Sequence, residues 1–321
     1  MNDTIPSFLI PYMKSDCLQR LQKVDMNCGV NYTSLPLFKD IKPYTRLEHS
    51  LRTALLCWKF TKDQRQTLAC LFHDCSTPAF SHTIDFLHGD TLHQEFTEEK
   101  TEDFIRKDKA VIEQLRKDAI EVTDISDYHI YPICDNKAPH LSCDRLEYTL
   151  SNAINYGFTD TRTVKDLVND IVIEKNEQNE EELCFKSEEY AFAFCDLSLK
   201  CGTIYSSCMD RYAMQRLTEI LKQAIEQNIL SETDLYEDEQ HVISLLENSK
   251  LSALWKKYTK LSSIQLFESD VKGSLNLQVK KRYVDPLVNQ KRVSEISETL
   301  NQRIQLFLSD KQNEWIKGDT I

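Results

Sequence analysis

Five of the eight histidines fall at positions 49, 73, 82, 88 and 93. Carboxylates accompany them in short stretches such as LFHDCSTPAFSH, residues 71–82. His49 sits in the apolar-striped segment RLEHSL, His73 and Asp74 close the next apolar run, and Asp144 falls in SCDRLEYTL. Two imidazole nitrogens and two carboxylate oxygens suit a borderline divalent ion, and adjacent residues at a helix end can both turn toward it. A mixed nitrogen and oxygen set leaves positions open for water and a phosphate oxygen. Each of these side chains alone reads as a satisfied core residue. Together, beside apolar stripes, all four carry a desolvation cost that one shared cation offsets.

The elements that must position them are helical. Glycine is scarce, with 6 in 321 residues, and apolar residues mostly recur at helical spacing. Residues 46–60 place Leu47, Leu51, Ala54, Leu55 and Trp58 on one stripe, and 63–73 carry Leu68, Leu71 and Phe72 into the His-Asp pair. Further helices are expected over 94–119, 142–156, 163–170, 209–228, 239–258 and 289–317. DIVIEK and ELCFKS flank an acidic polar run and read as a β-hairpin, while SLNLQVKKRYVDPLV alternates like a strand that stops at Pro286. The expected fold is mainly α: a helical metal-binding core over 1–156, then a helical lobe over 157–321 with small β elements.

The net charge of −12 disfavours a nucleic-acid backbone as partner, whereas a small anionic substrate needs only a local basic pocket. No stretch approaches the apolar length of a membrane span, and the first residues lack a signal-peptide layout. A cytoplasmic protein is expected. The eleven scattered cysteines contain no CxxC pair, so they read as small buried hydrophobes in a reducing compartment rather than disulfides or a zinc ribbon.

In order along the chain, RLEHSL, the HD pair 24 residues after His49, FSH with a following Asp, and DRLEY resemble the HD-domain phosphohydrolases, specifically their deoxynucleoside triphosphate triphosphohydrolase branch. The ordered set is specific, and the weaker likeness extends over residues 20–290. The resemblance implies His49, His73, Asp74 and Asp144 as ligands of one divalent metal ion, with Mn, Fe, Mg, Ni or Zn all compatible. It implies phosphate contacts from Arg46 and Arg145 with His82 as a further donor, catalytic roles for Asp85 and His93, nucleoside packing by Tyr148, and Asn152 near the sugar. It also implies a nucleotide substrate and possible assembly into a homo-oligomer. His88, His129, His140 and His241 match nothing and are left structural.

One position departs from the pattern. The family places a histidine four residues after the first member of the HD pair, and this chain has Thr77, which cannot exchange a proton near neutral pH. Loss of a general acid costs about 10²–10⁴ in rate. Three outcomes are open: His82 or His93 takes over beside Asp85, the leaving group needs no proton, or the pocket binds nucleotides with little turnover. An HD-type 5′-nucleotidase and a nucleotide-binding regulator therefore stand beside the triphosphohydrolase.

Overall fold

The computed structural model describes residues 5–93 and 100–319. Two short helices, α1 (Leu9–Tyr12) and α2 (Asp16–Gln19), precede the long α3 (Arg46–Thr61) and α4 (Gln64–Phe72). α5 (Thr83–Leu87), α6 (Thr101–Lys107) and α7 (Lys109–Asp118) lead to α8 (Cys143–Asn155) and α9 (Thr161–Asp170). After the hairpin β1 (Ile171–Lys175) and β2 (Glu181–Phe185) come α10 (Glu188–Tyr205), α11 (Cys208–Glu226), α12 (Glu239–Glu247) and α13 (Ser252–Thr259). Then follow β3 (Ile264–Phe267), β4 (Leu287–Val288), β5 (Lys291–Arg292), α14 (Val293–Ile296), α15 (Glu298–Ser309) and β6 (Trp315–Gly318). The fold is mainly α, and no helix among the described residues is long and apolar enough to cross a membrane.

The site-bearing helices start where side chains satisfy their first N–H groups. Thr45 and Glu48 form a capping box on α3, Asp63 accepts from Gln66 N–H at the head of α4, and Ser142 accepts from Arg145 N–H at the head of α8. α3 packs against both α4 and α8, so its buried face is common to all three.

Several expected elements are corrected. The helix expected over 94–119 is two helices, because Asp108 leaves helical geometry and accepts from Ala110 and Val111 N–H to start α7; residues 94–99 lie outside the described residues. The helix over 239–258 is likewise broken, at 248–251, where Asn248 and Ser249 side chains bond the carbonyls of Ser244 and Leu246 and compete with the helix ladder. Residues 289–317 are not one helix: Asn289 and Gln290 take positive φ in the β4–β5 turn, α14 and α15 follow, and β6 pairs antiparallel with β3. The strand expected over 274–286 is absent, and only Leu287–Val288, beyond the proline, joins the sheet, in the order β1-β2-β4-β5. In the segment before it Leu275 makes a single antiparallel bridge to Ile316 of β6, and beyond that bridge side chains do much of the holding: Gln312 accepts from Val279 N–H, Ser198 accepts from Val284 N–H, and Arg211 donates to Leu277 carbonyl. The hairpin forms where expected, with Ile171 opposite Phe185.

Two apolar clusters form the core. One packs Leu56, Leu71 and Leu146 with Phe194 and Ile304; the other packs Phe38 and Phe80 with Tyr212, Leu217 and Trp255. Each takes residues from both sides of residue 156, so that position does not separate two cores.

Candidate metal centre

α3 projects His49, the end of α4 projects His73 and Asp74, and the first turn of α8 projects Asp144 into one cluster. His49 Nε2 lies 3.1 Å from His73 Nε2, 3.0 Å from an Asp144 oxygen and 3.7 Å from an Asp74 oxygen. His73 Nε2 lies 3.5 Å from Asp74 and 3.6 Å from Asp144. Ligands bound at about 2.1 Å to one ion stand about 3.0 Å apart in octahedral and 3.4 Å apart in tetrahedral geometry, so this spacing fits a single cation.

The chemistry of the donors fits too. His73 Nδ1 lies 2.7 Å from the Cys70 carbonyl and His49 Nδ1 lies 2.5 Å from Glu147 Oε2. Both partners only accept, so each Nδ1 carries a proton and, in the neutral ring, each Nε2 turns a lone pair inward. Two lone pairs and two carboxylates facing one another call for a positive charge. Without an ion that charge is a proton on His49: burial disfavours an imidazolium there, yet Asp144 and Glu147 raise its pKa to about 10, so a bound metal would displace the proton from Nε2. Burial would likewise raise Asp144, but the hydrogen bond and charge of His49 bring it down to about 2. Asp74 also resists its burial, since Arg46 and the two histidines hold it well below the usual carboxylate range.

Arg46 is buried and donates to both Asp74 oxygens, at 3.1 and 3.0 Å, and to Ser81 Oγ at 3.1 Å. It therefore braces a donor as well as lining the cavity. Thr77 does the same from the other side: its hydroxyl donates to Asp74 Oδ1 at 2.8 Å, it is 1% exposed, and it does not line the cavity.

The cluster opens into a cavity of about 900 Å³ lined by Arg46, His82, Arg145, Tyr148 and Asn152. Arg145 also braces the loop before α8, pairing with Asp135 at 3.0 Å and donating to Asn136 Oδ1 at 2.7 Å. Asn152 donates to Tyr205 OH at 2.7 Å. His82 Nδ1 lies 2.7 Å from Asp85 Oδ2, which leaves Nε2 as the acceptor; burial lowers the pKa of this ring against the upward pull of Asp85. Two expected residues are placed differently. Asp85 is fully buried behind His82 and does not line the cavity, so it acts through that ring. His93 is 77% exposed, lies 3.3 Å from Asp90 and does not line the cavity; the short loop after α5 carries it outward.

Sequence reasoning missed four contributors. Glu147 receives both His49 and the Tyr44 hydroxyl; its i,i+3 spacing from Asp144 puts both on one helix face and was the available signal. Tyr44 had none. Lys280 and Arg282 reach the cavity from the extended segment before β4.

No family model matches the chain. It is 24% identical over 287 residues to the uncharacterised protein YdhJ of Bacillus subtilis, spanning 86% of this chain and 78% of that protein. It is 26% identical over 150 residues to the metal-dependent phosphohydrolase cns2 of Cordyceps militaris, 46% of this chain and 41% of that one. The crystal structure of a phosphohydrolase from Bacteroides thetaiotaomicron matches 100% of this chain and 99% of its own with a TM-score of 0.65 at 14% identity, which shows a shared fold.

Proposed function

We propose that the chain is a metal-dependent phosphohydrolase acting on nucleotides, and that it hydrolyses a (deoxy)nucleoside triphosphate to nucleoside and triphosphate. The observation that carries this reading is the convergence of His49, His73, Asp74 and Asp144, with donor atoms 3.0–3.7 Å apart, on the wall of a cavity that Arg145, Lys280 and Arg282 also line. The phosphohydrolase names of the Cordyceps and Bacteroides proteins support it. These four residues would hold one divalent ion, which when bound polarises a phosphate oxygen and lowers the pKa of water.

The chain's own residues supply the rest. Arg145, Lys280 and Arg282 neutralise phosphate charge, which carries much of phosphoryl-transfer catalysis. Arg46 keeps Asp74 ionised and aimed. His82, neutral and fixed by Asp85, takes a proton at Nε2 and returns it to the departing oxygen. Tyr148 and Asn152 contact the nucleoside.

Thr77 favours a second reading, since its hydroxyl is committed to Asp74 and supplies no proton: a nucleotide phosphatase, or a regulator that binds with little turnover. A product assay over nucleoside mono-, di- and triphosphates with Mn²⁺ separates them. Released triphosphate supports the main reading, orthophosphate from monophosphates supports the phosphatase, and binding without product supports the regulator.

A further inference from the structure

We propose that Asp210 reads the base of the nucleotide and selects guanine, its two carboxylate oxygens accepting from guanine N1–H and the 2-amino group. The inference rests on the nucleotide reading above and concerns which nucleotide the cavity takes. Asp210 stands in the first turn of α11 and lines the cavity. Its backbone is engaged, the N–H donating to Ser207 Oγ at 3.2 Å, but among the described residues no hydrogen bond or ion pair reaches its carboxyl. Arg211, next in the chain, is committed elsewhere: its guanidinium donates to the carbonyls of Leu277 and Gln312 and pairs with Glu314 at 2.8 Å. A carboxyl drawn out of water without a donor carries a desolvation cost, which a ligand with two adjacent N–H groups would offset.

Its position suits the base. Asp144, Tyr148, Asn152 and Tyr156 recur at every fourth residue of α8 and its end, so they follow one face, and all four line the cavity. The metal centre takes the first, the nucleoside contacts assigned above take the next two, and Tyr156 comes last. Asp210 belongs with that last position: its charge is the foremost one acting on Tyr156, whereas Arg211 and none of the metal donors acts on Asp210 itself. Met214, one turn further along α11, and Phe86 of α5, which packs on α11, supply apolar surface. Burial pushes the Asp210 carboxyl up to about 8 against the pull of Arg211. Tyr156, Tyr258 and Cys28 around it are pushed up as well, Cys28 to about 12, so none of them is charged where Asp210 titrates. An ionised carboxyl accepts and never donates. Guanine presents two adjacent donors, whereas adenine, cytosine and thymine each set a donor beside an acceptor, so guanine alone satisfies both oxygens.

The test is equilibrium binding of the four deoxynucleoside triphosphates to the full-length protein in a chelator, where no turnover intervenes. Wild type should hold dGTP about 5–150-fold more tightly than dATP, the discrimination of one bidentate pair, and D210N, whose amide sets a donor against a donor, should lose that preference. Guanine requires the ionised carboxyl, so the ratio of dATP to dGTP dissociation constants should rise with pH until about 8 and then level; this readout needs no variant. Equal binding of the four nucleotides by wild type, a preference retained in D210N, or a flat pH profile overturns the inference and leaves the phosphohydrolase reading intact. A guanine preference lost in D210N, with no triphosphate released in the product assay, sustains the inference and overturns the triphosphohydrolase reading instead. Failure to bind any of the four overturns both.

Discussion

Replacing Thr77 with valine tests whether this residue serves the metal centre. The Asp74 Oδ1 atom has two donors, the Thr77 hydroxyl at 2.8 Å and Arg46 Nη1 at 3.1 Å. Valine keeps the shape and the backbone bond from Thr77 N–H to Asp74 carbonyl, and removes one hydrogen bond to a buried charge. Such bonds contribute about 1.5–3 kcal/mol. Freed on one side, the carboxylate can rotate, carrying Oδ2 from its place 3.5 Å from His73 and 3.7 Å from His49. Losing a group that orients a ligand typically weakens metal binding by about 10–100-fold, so T77V should bind Mn²⁺ more weakly by that factor while T77S, which keeps the hydroxyl, stays near wild type. Competition titration of the metal-free protein with a chelating dye measures this. Equal affinities for T77V and wild type would refute the reasoning.

Glu147→Gln should weaken metal binding by a similar 10–100-fold, because a neutral acceptor fixes His49 less firmly; isothermal titration reads it. If His82 handles the proton, H82A loses about 10²–10⁴ in kcat, D85N loses less, and H93A keeps the wild-type rate, all read in one steady-state assay. Away from the site, burial and the charge of Asp25 push Glu239 up to about 7, above an unfolded value of about 4.3. The folded chain then holds a proton that the unfolded chain has released, so this group's contribution to stability is full below about pH 4 and is lost as pH rises through about 7. Urea midpoints of wild type should therefore fall relative to E239Q across that window, and parallel curves would contradict the assignment.

How much could be read beforehand follows from what each element depends on. α3, α4 and α8 were legible because cap residues and apolar stripes coincide in the sequence, and the ligand candidates ride on those same helices. α10 was not: Ala191, Phe194, Cys195, Leu197, Ser198 and Ile204 are buried on several faces, so no single stripe marks it. The segment before β4 alternates like a strand, yet Ser198, Arg211 and Gln312 from distant elements hold its backbone, and only tertiary structure supplies them. The roles of Arg46 and Thr77 at Asp74 were hidden for the same reason, since spacing shows that residues share a region and not which atom each one meets.

The four donors are held unequally, and the inequality has a direction. His49 is fixed by Glu147, His73 by the Cys70 carbonyl, and Asp74 by Arg46 and Thr77 together. Their side chains are 1%, 3% and 7% exposed, against 18% for Asp144, which meets His49 and His73 but stands nearest solvent. Three donors locked from the buried side would set where a cation sits, because moving any of them breaks a hydrogen bond that water cannot replace there. Asp144 carries the adjustment, and the cost of reorienting it is smallest because solvent can satisfy its oxygens. The open edge of the cluster therefore coincides with its most compliant donor, on the side that faces the cavity.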